Sequence, residues 1–128
     1  MEIPASVDKP LVVVVDDDAS VRDSLKVLLE LEGFAVSVYA AGADLLEAIE
    51  LPPCACFVID QDLPGMKGLD LAAHLRIRQI SAPMILVTGL ASKAVRARAA
   101  DVGIPVIEKP LLGNDLLDTI CAVVERAV

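Results

Sequence analysis

The chain has 128 residues, 55% of them hydrophobic, and a formal net charge of −8. That length supports one domain with a sizeable core. The acidity argues against direct nucleic-acid binding, and no apolar run approaches the roughly 18 residues that a membrane helix needs.

Residues 1–9 read as a lead-in to a domain spanning 10–128. Met1-Glu2-Ile3-Pro4 offers neither a positive nor an apolar leader region, so a cytoplasmic location is expected. Leu11–Val15 is the first strand. Helix one is expected from Ser20 to Glu32, opened by a capping box of Ser20 and Asp23 and closed by Gly33, with Val21, Leu25, Leu28 and Leu29 on one face. Phe34–Tyr39 is strand two. Helix two, Ala43–Leu51, is ended by Pro52-Pro53. Cys54–Asp60 is strand three, and Asp62-Leu63-Pro64-Gly65 is a turn. Helix three runs from Gly68 to Arg78 with Leu69, Ala72, Ala73 and Leu75 inward. Pro83–Thr88 is strand four. Helix four, Ser92–Val102, is rich in Ala with a small apolar face, so loose docking is expected. Ile104–Ile107 is strand five, and Asn114 caps a fifth helix that runs to Ala127. This alternation predicts an α/β fold: a parallel sheet with helices on both faces.

Parallel sheets collect the carboxyl ends of their strands on one edge, where open α/β folds place their sites. Here that edge gathers Asp16, Asp17 and Asp18 after strand one, Asp60 after strand three, Thr88-Gly89 after strand four and Lys109 after strand five. The chemistry that needs such a set is phosphoryl transfer to a carboxylate. Asp60 is the candidate nucleophile. Asp16 and Asp17, with Asp60, are candidate ligands for Mg²⁺, which takes one or two carboxylates plus waters. Lys109 supplies a point charge for a phosphoryl oxygen, Thr88 a hydroxyl donor, and Gly89 room. Each residue alone has a bland reading as turn former or solvated charge. The specificity lies in their placement at four strand ends.

Other tempting residues carry less. Three cysteines, Cys54, Cys56 and Cys121, show no framework spacing and read as reduced, buried thiols. A zinc site from Cys54, Cys56 and His74 is disfavoured because the Cys-x-Cys lies on a strand. His74 reads as a surface helix residue. Lys93, Arg96 and Arg98, with Arg76 and Arg78, read as a solvated face; a docking patch on helix four is the sharper alternative. Only Phe34, Tyr39 and Phe57 are aromatic, so stacking platforms for bases are lacking.

Val-Asp16-Asp17-Asp-x-x-Val-Arg, Ile-Asp60-x-x-Leu-Pro64-Gly-Met-x-Gly68, Val-Thr88-Gly89 and Glu-Lys109-Pro110 follow one another in the order and spacing of a known family. Over residues 10–127 the chain resembles the receiver domain (CheY-like) of two-component response regulators, in the flavour of the branch with C-terminal helix-turn-helix outputs. The resemblance implies a five-stranded flavodoxin-like sheet of order 2-1-3-4-5 and a cis Lys109–Pro110 peptide. It also implies that Asp60 accepts a phosphoryl group from a kinase histidine. The implied partners are a sensor histidine kinase or histidine phosphotransfer protein, an output domain or effector, and a second copy through the helix 4–strand 5–helix 5 face.

Three positions depart from the family pattern. Val106 stands where an aromatic usually lies, so the Thr/aromatic relay is missing or rebuilt. Asp62, two after the nucleophile, is uncommon there, and Leu90 is apolar where the family is often polar. Two other functions compete. A non-phosphorylated adaptor on the same fold is favoured by Val106 and disfavoured by the complete acid–Thr–Lys set. A haloacid-dehalogenase-type phosphatase would use Asp60-x-Asp62, but its acidic pair follows the lysine, and its nucleophile lies near the N-terminus. The expectation is a switch with no enzymatic turnover beyond its own phosphorylation and dephosphorylation.

Overall fold

The computed structural model describes residues 9–48, 53–111 and 113–127, with residues 126 and 127 as backbone only. The predicted lead-in falls almost wholly outside them, and so do residues 49–51 of predicted helix two. That helix ends at Glu47, with Ala48 extended, short of the Pro52-Pro53 expected to stop it. Five strands and five helices alternate: β1 Leu11–Val15, α1 Ala19–Leu31, β2 Ala35–Tyr39, α2 Gly42–Glu47, β3 Cys56–Asp60, α3 Gly68–Ile77, β4 Met84–Thr88, α4 Lys93–Asp101, β5 Val106–Glu108 and α5 Asp115–Ala127. The sheet is parallel throughout, in the order β2-β1-β3-β4-β5. This is the expected doubly wound α/β arrangement.

The edge strands β2 and β5 are only partly buried, whereas the central strands β1, β3 and β4 are short runs of β-branched and aliphatic residues, as strands buried on both faces require. Alternation divides them between two cores. Val13, Val15, Phe57, Ile59 and Leu86 face α2, α3 and α4, whereas Val12, Val14, Val58, Ile85 and Val87 face α1 and α5. β3 and β4 are buried at every residue, so their C-terminal ends, Asp60 and Thr88, are buried polar groups.

Several boundaries differ from the sequence reading. Helix α1 opens one residue early, and Asp18 is its N-cap: the carboxylate accepts the Ser20 and Val21 N–H groups at 2.8 and 3.4 Å. The proposed Ser20/Asp23 box is thereby displaced. On α1, Leu25 and Leu29 are buried, but Leu28 is 38% exposed. Ala73 is exposed, because the buried stripe of α3 runs through Leu71, Ala72 and Leu75. Strand β5 begins two residues late: the Ile104 N–H closes α4 by bonding Ala99 O at 2.9 Å, with Gly103 at φ +71°. Cys56 is buried and Cys54 partly so, but Cys121 is exposed, against the expectation of three buried thiols.

Helix α4 does bury little, chiefly Ala99. Two exposed ion pairs tie it to its neighbours, Arg96 to Glu108 at 3.0 Å and Arg98 to Asp70 at 2.8 Å. Arg76 donates to the Ile80 and Ala82 carbonyls, and Arg78 to the Leu46 carbonyl. Those four arginines are thus engaged in local ties rather than forming a free basic patch.

Candidate phosphoryl-transfer site

The sheet order reverses direction between β1 and β3, and ligand sites of open α/β sheets lie at that point, beyond the strand carboxyl ends. Asp16 and Asp17 follow β1 and Asp60 ends β3. Among the described residues these three form the one group of three potential metal ligands, each offering a carboxylate oxygen within 4.8 Å of the others. Asp16 and Asp60 are buried, at 3% exposure each, while Asp17 faces solvent. An all-oxygen, carboxylate-rich set suits a hard divalent cation such as Mg²⁺ and does not suit zinc. Cys54, Cys56 and His74 are not brought together; burial pushes the two thiols up to about 11 and about 12.

Every anchor of the cluster is visible. The Asp16 carboxylate accepts the Asp18 N–H through Oδ1 at 2.9 Å. Its backbone carbonyl accepts a 2.8 Å bond from the Arg22 guanidinium, which pins the end of β1 from the first turns of α1. Asp60 Oδ1 accepts the Asp62 N–H at 3.0 Å. Lys109 reaches across from the end of β5: its ammonium lies 3.1 Å from Asp16 Oδ2 and 3.3 Å from Asp60 Oδ2. The Lys109 backbone is held by a 2.8 Å bond to Thr88 O and precedes a cis bond to Pro110, as the family resemblance implied.

The electrostatics follow from this packing. Burial pushes the Asp60 carboxyl above its ordinary value, and the Asp62 N–H pulls it back. Neighbouring Asp16 pushes it up again, and Lys109 partly offsets that. For Lys109, burial opposes the charge, but the Asp16 and Asp60 carboxylates outweigh it and raise its pKa. Among the described residues, the cluster holds excess negative charge, with the Lys109 ammonium bridging the two buried acids while Asp17 faces solvent.

Thr88 is fully buried, yet its hydroxyl does not point at Asp60. It donates to Asp62 Oδ2 at 3.0 Å, and the Gly89 N–H donates to the same oxygen at 3.1 Å. Asp62 therefore lies on Thr88 and Gly89, outside the group of Asp16, Asp17 and Asp60, and the sequence reading had likewise kept it out of the candidate ligand set.

Two supporting residues escaped the sequence reading. Gln61 follows Asp60 and had no assignable role. Its side-chain carbonyl accepts the Leu69 N–H at 2.8 Å, eight residues away, and caps the start of α3. Gly68 sits hard against the Asp60 backbone: a Cβ there would stand 2.6 Å from Asp60 O and 2.8 Å from Gln61 Cα. The motif glycine was visible in the sequence, but the approach that requires it is tertiary.

The model of the response regulator receiver domain matches residues 12–121. The chain belongs to that family. Nodulation protein W of Bradyrhizobium diazoefficiens is 34% identical over 119 residues, which cover 92% of this chain and 52% of that protein. A CheY-like receiver domain protein from Methanospirillum hungatei superposes with a TM-score of 0.85 at 30% identity, over 92% of this chain and 95% of that one. Full-length FixJ from B. japonicum superposes with a TM-score of 0.83 at 30% identity, over 93% of this chain and 59% of that one. The chain spans about half the length of the curated relatives it matches. As a receiver domain of the two-component type, it is a phosphoacceptor module for signalling. Among the described residues, no helix is long and apolar enough to cross a membrane.

Proposed function

We propose that Asp60 is the phosphoacceptor, that Asp16, Asp17 and Asp60 hold Mg²⁺, and that Lys109 and Thr88 complete the site. The observation that carries this reading is the Lys109 ammonium, within 3.3 Å of both buried carboxylates. It orients Asp60 and favours its charged form beside a patch that needs further positive charge. A carboxylate oxygen of Asp60 forms the new bond to phosphorus as the phosphorus–nitrogen bond to a donor imidazole breaks. The electron pair of that bond stays on the ring nitrogen. Bound Mg²⁺ would supply positive charge to the phosphoryl oxygens. The Lys109 ammonium serves one of those oxygens as it leaves Asp60 Oδ2, and the Thr88 hydroxyl is the neutral donor for another.

The donor partner in this reading is a sensor histidine kinase or a histidine phosphotransfer protein. An apolar groove of about 560 Å³ beside Lys109, lined by Val21, Leu25, Leu28, Pro110 and Leu111, offers such a partner a surface next to the nucleophile. The remaining partners are an output domain or effector and a second copy on the α4–β5–α5 face. The setting is cytoplasmic, and the domain turns over no substrate other than its own phosphoryl group. Intact mass measurement after exposure to acetyl phosphate tests the assignment. One phosphoryl adduct should form with Mg²⁺, and none should form in EDTA or in Asp60→Asn. An adduct that persists in Asp60→Asn contradicts it.

A further inference from the structure

We propose that Asp62 is a built-in competitor for the phosphoryl group: its carboxylate occupies the Thr88 hydroxyl, the neutral donor assigned above to a phosphoryl oxygen, together with the adjacent Gly89 N–H, and it must be expelled for the switch to engage. The inference rests on the site reading above and concerns its regulation. One Asp62 oxygen, Oδ2, takes both the Thr88 hydroxyl at 3.0 Å and the Gly89 N–H at 3.1 Å. A hydroxyl has one proton to give; the Leu90 carbonyl is a longer alternative at 3.5 Å, but while the nearer Asp62 oxygen at 3.0 Å holds the proton, the fully buried Thr88 has none for a phosphoryl oxygen. A carboxylate oxygen is an anionic acceptor, as a phosphoryl oxygen is, and it satisfies the same donors in the same way.

The arrangement has two consequences. Phosphorylation brings a charge of about −1.5 to −2 to a site that already holds Asp16, Asp17 and Asp60, and Asp62 adds a fourth carboxylate at its rim. The incoming group must break two charge-assisted bonds before it gains the Thr88 and Gly89 donors. Asp62 is itself exposed, on the loop between β3 and α3, so it has solvent to move into. Its departure releases Thr88 and Gly89, the last residue of β4 and the first of the loop leading to α4. The competitor therefore links occupancy of the site to the β4–α4 loop without an aromatic ring at position 106.

Two substitutions separate occupancy from charge. Asp62→Asn removes the charge and keeps an acceptor oxygen, whereas Asp62→Ala removes both. The probe is fluoroberyllate, a phosphoryl mimic, titrated with Mg²⁺ present and followed by backbone amide resonances. Asp62→Ala should bind it roughly tenfold or more tightly than wild type, with Asp62→Asn between them. Independently of any ligand, the Gly89 amide should exchange faster with solvent in metal-free Asp62→Ala than in metal-free wild type. Equal or weaker fluoroberyllate binding in Asp62→Ala, or an unchanged Gly89 amide, overturns the competitor while leaving Asp60 as phosphoacceptor. Failure of all three proteins, wild type included, to take up the mimic overturns both.

Discussion

Replacing Gly68 with alanine tests how Asp60, the proposed phosphoacceptor, is positioned. The added Cβ would meet Asp60 O at 2.6 Å, about 0.8 Å inside ordinary contact, and the atoms it meets are backbone, which cannot rotate away. Overpacking of this kind costs about 1–3 kcal/mol. Opening the gap also weakens the Gly68 N–H bond to Gln61 O at 3.1 Å and the Leu69 N–H bond to the Gln61 side chain at 2.8 Å, each worth on the order of 1 kcal/mol. The better helix propensity of alanine returns at most about 1 kcal/mol. The net loss is about 2–3 kcal/mol, or roughly 6–12 °C in Tm for a domain of this size. Because the strained atom is the carbonyl of Asp60 itself, phosphorylation by acetyl phosphate should slow by about tenfold or more. Gly42→Ala is the control. It also opens a helix, but its Cβ would meet only flexible side-chain ends, of Leu71 at 3.4 Å and Met66 at 3.5 Å. Thermal melts and phosphorylation time courses on the two variants decide the matter. If Gly68→Ala melts within about 1 °C of wild type and is phosphorylated at the wild-type rate, the close approach does not position Asp60.

Further outcomes follow from the charge cluster and the helix ends. Mg²⁺ at ten times its dissociation constant should stabilise the protein by about 1.4 kcal/mol over EDTA at equal ionic strength, and Asp17→Asn should lose most of that shift in thermal melts. The folded state holds the Asp60 carboxyl above its ordinary 3.8, so its contribution to stability is complete below that value and is lost as pH rises through the folded pKa. Asp60→Asn should therefore be the more stable protein at pH 7 in EDTA, with the gap closing towards pH 4 in denaturant titrations. Gln79 ends α3 at φ +67°, a left-handed conformation that costs a side-chain-bearing residue about 1 kcal/mol. Gln79→Gly should raise stability by about 0.5–1 kcal/mol in urea unfolding.

The strands and the acid set were legible because they depend on short-range patterning. Short apolar runs alternating with helical patterns read as strands of one parallel sheet, three of them central and β5 at its edge, and such a sheet puts Asp16, Asp60, Thr88 and Lys109 together where its strands' carboxyl ends meet solvent. Helix boundaries were less legible where two polar residues compete to cap. Asp18 wins over Ser20 because its carboxylate reaches both the Ser20 and Val21 N–H groups. Strand β5 was misplaced by two residues because Ile104, although buried and aliphatic, spends its N–H on closing α4. The roles of Gln61, Gly68 and Asp62 were not readable at all. Each depends on a partner between 7 and 27 residues away in the chain, brought close only by the packing of α3 and β4 against β3.

The central claim is that the phosphoryl group resides on Asp60. An acyl phosphate is reduced by borohydride to an alcohol, which converts a phosphorylated aspartate to homoserine and leaves free carboxylates unchanged. Protein phosphorylated with acetyl phosphate and Mg²⁺, reduced, digested and mapped by mass spectrometry should carry homoserine at position 60 and nowhere else. Homoserine at Asp16, Asp17 or Asp62, or its absence from a sample whose intact mass shows the phosphoryl adduct, would contradict the account.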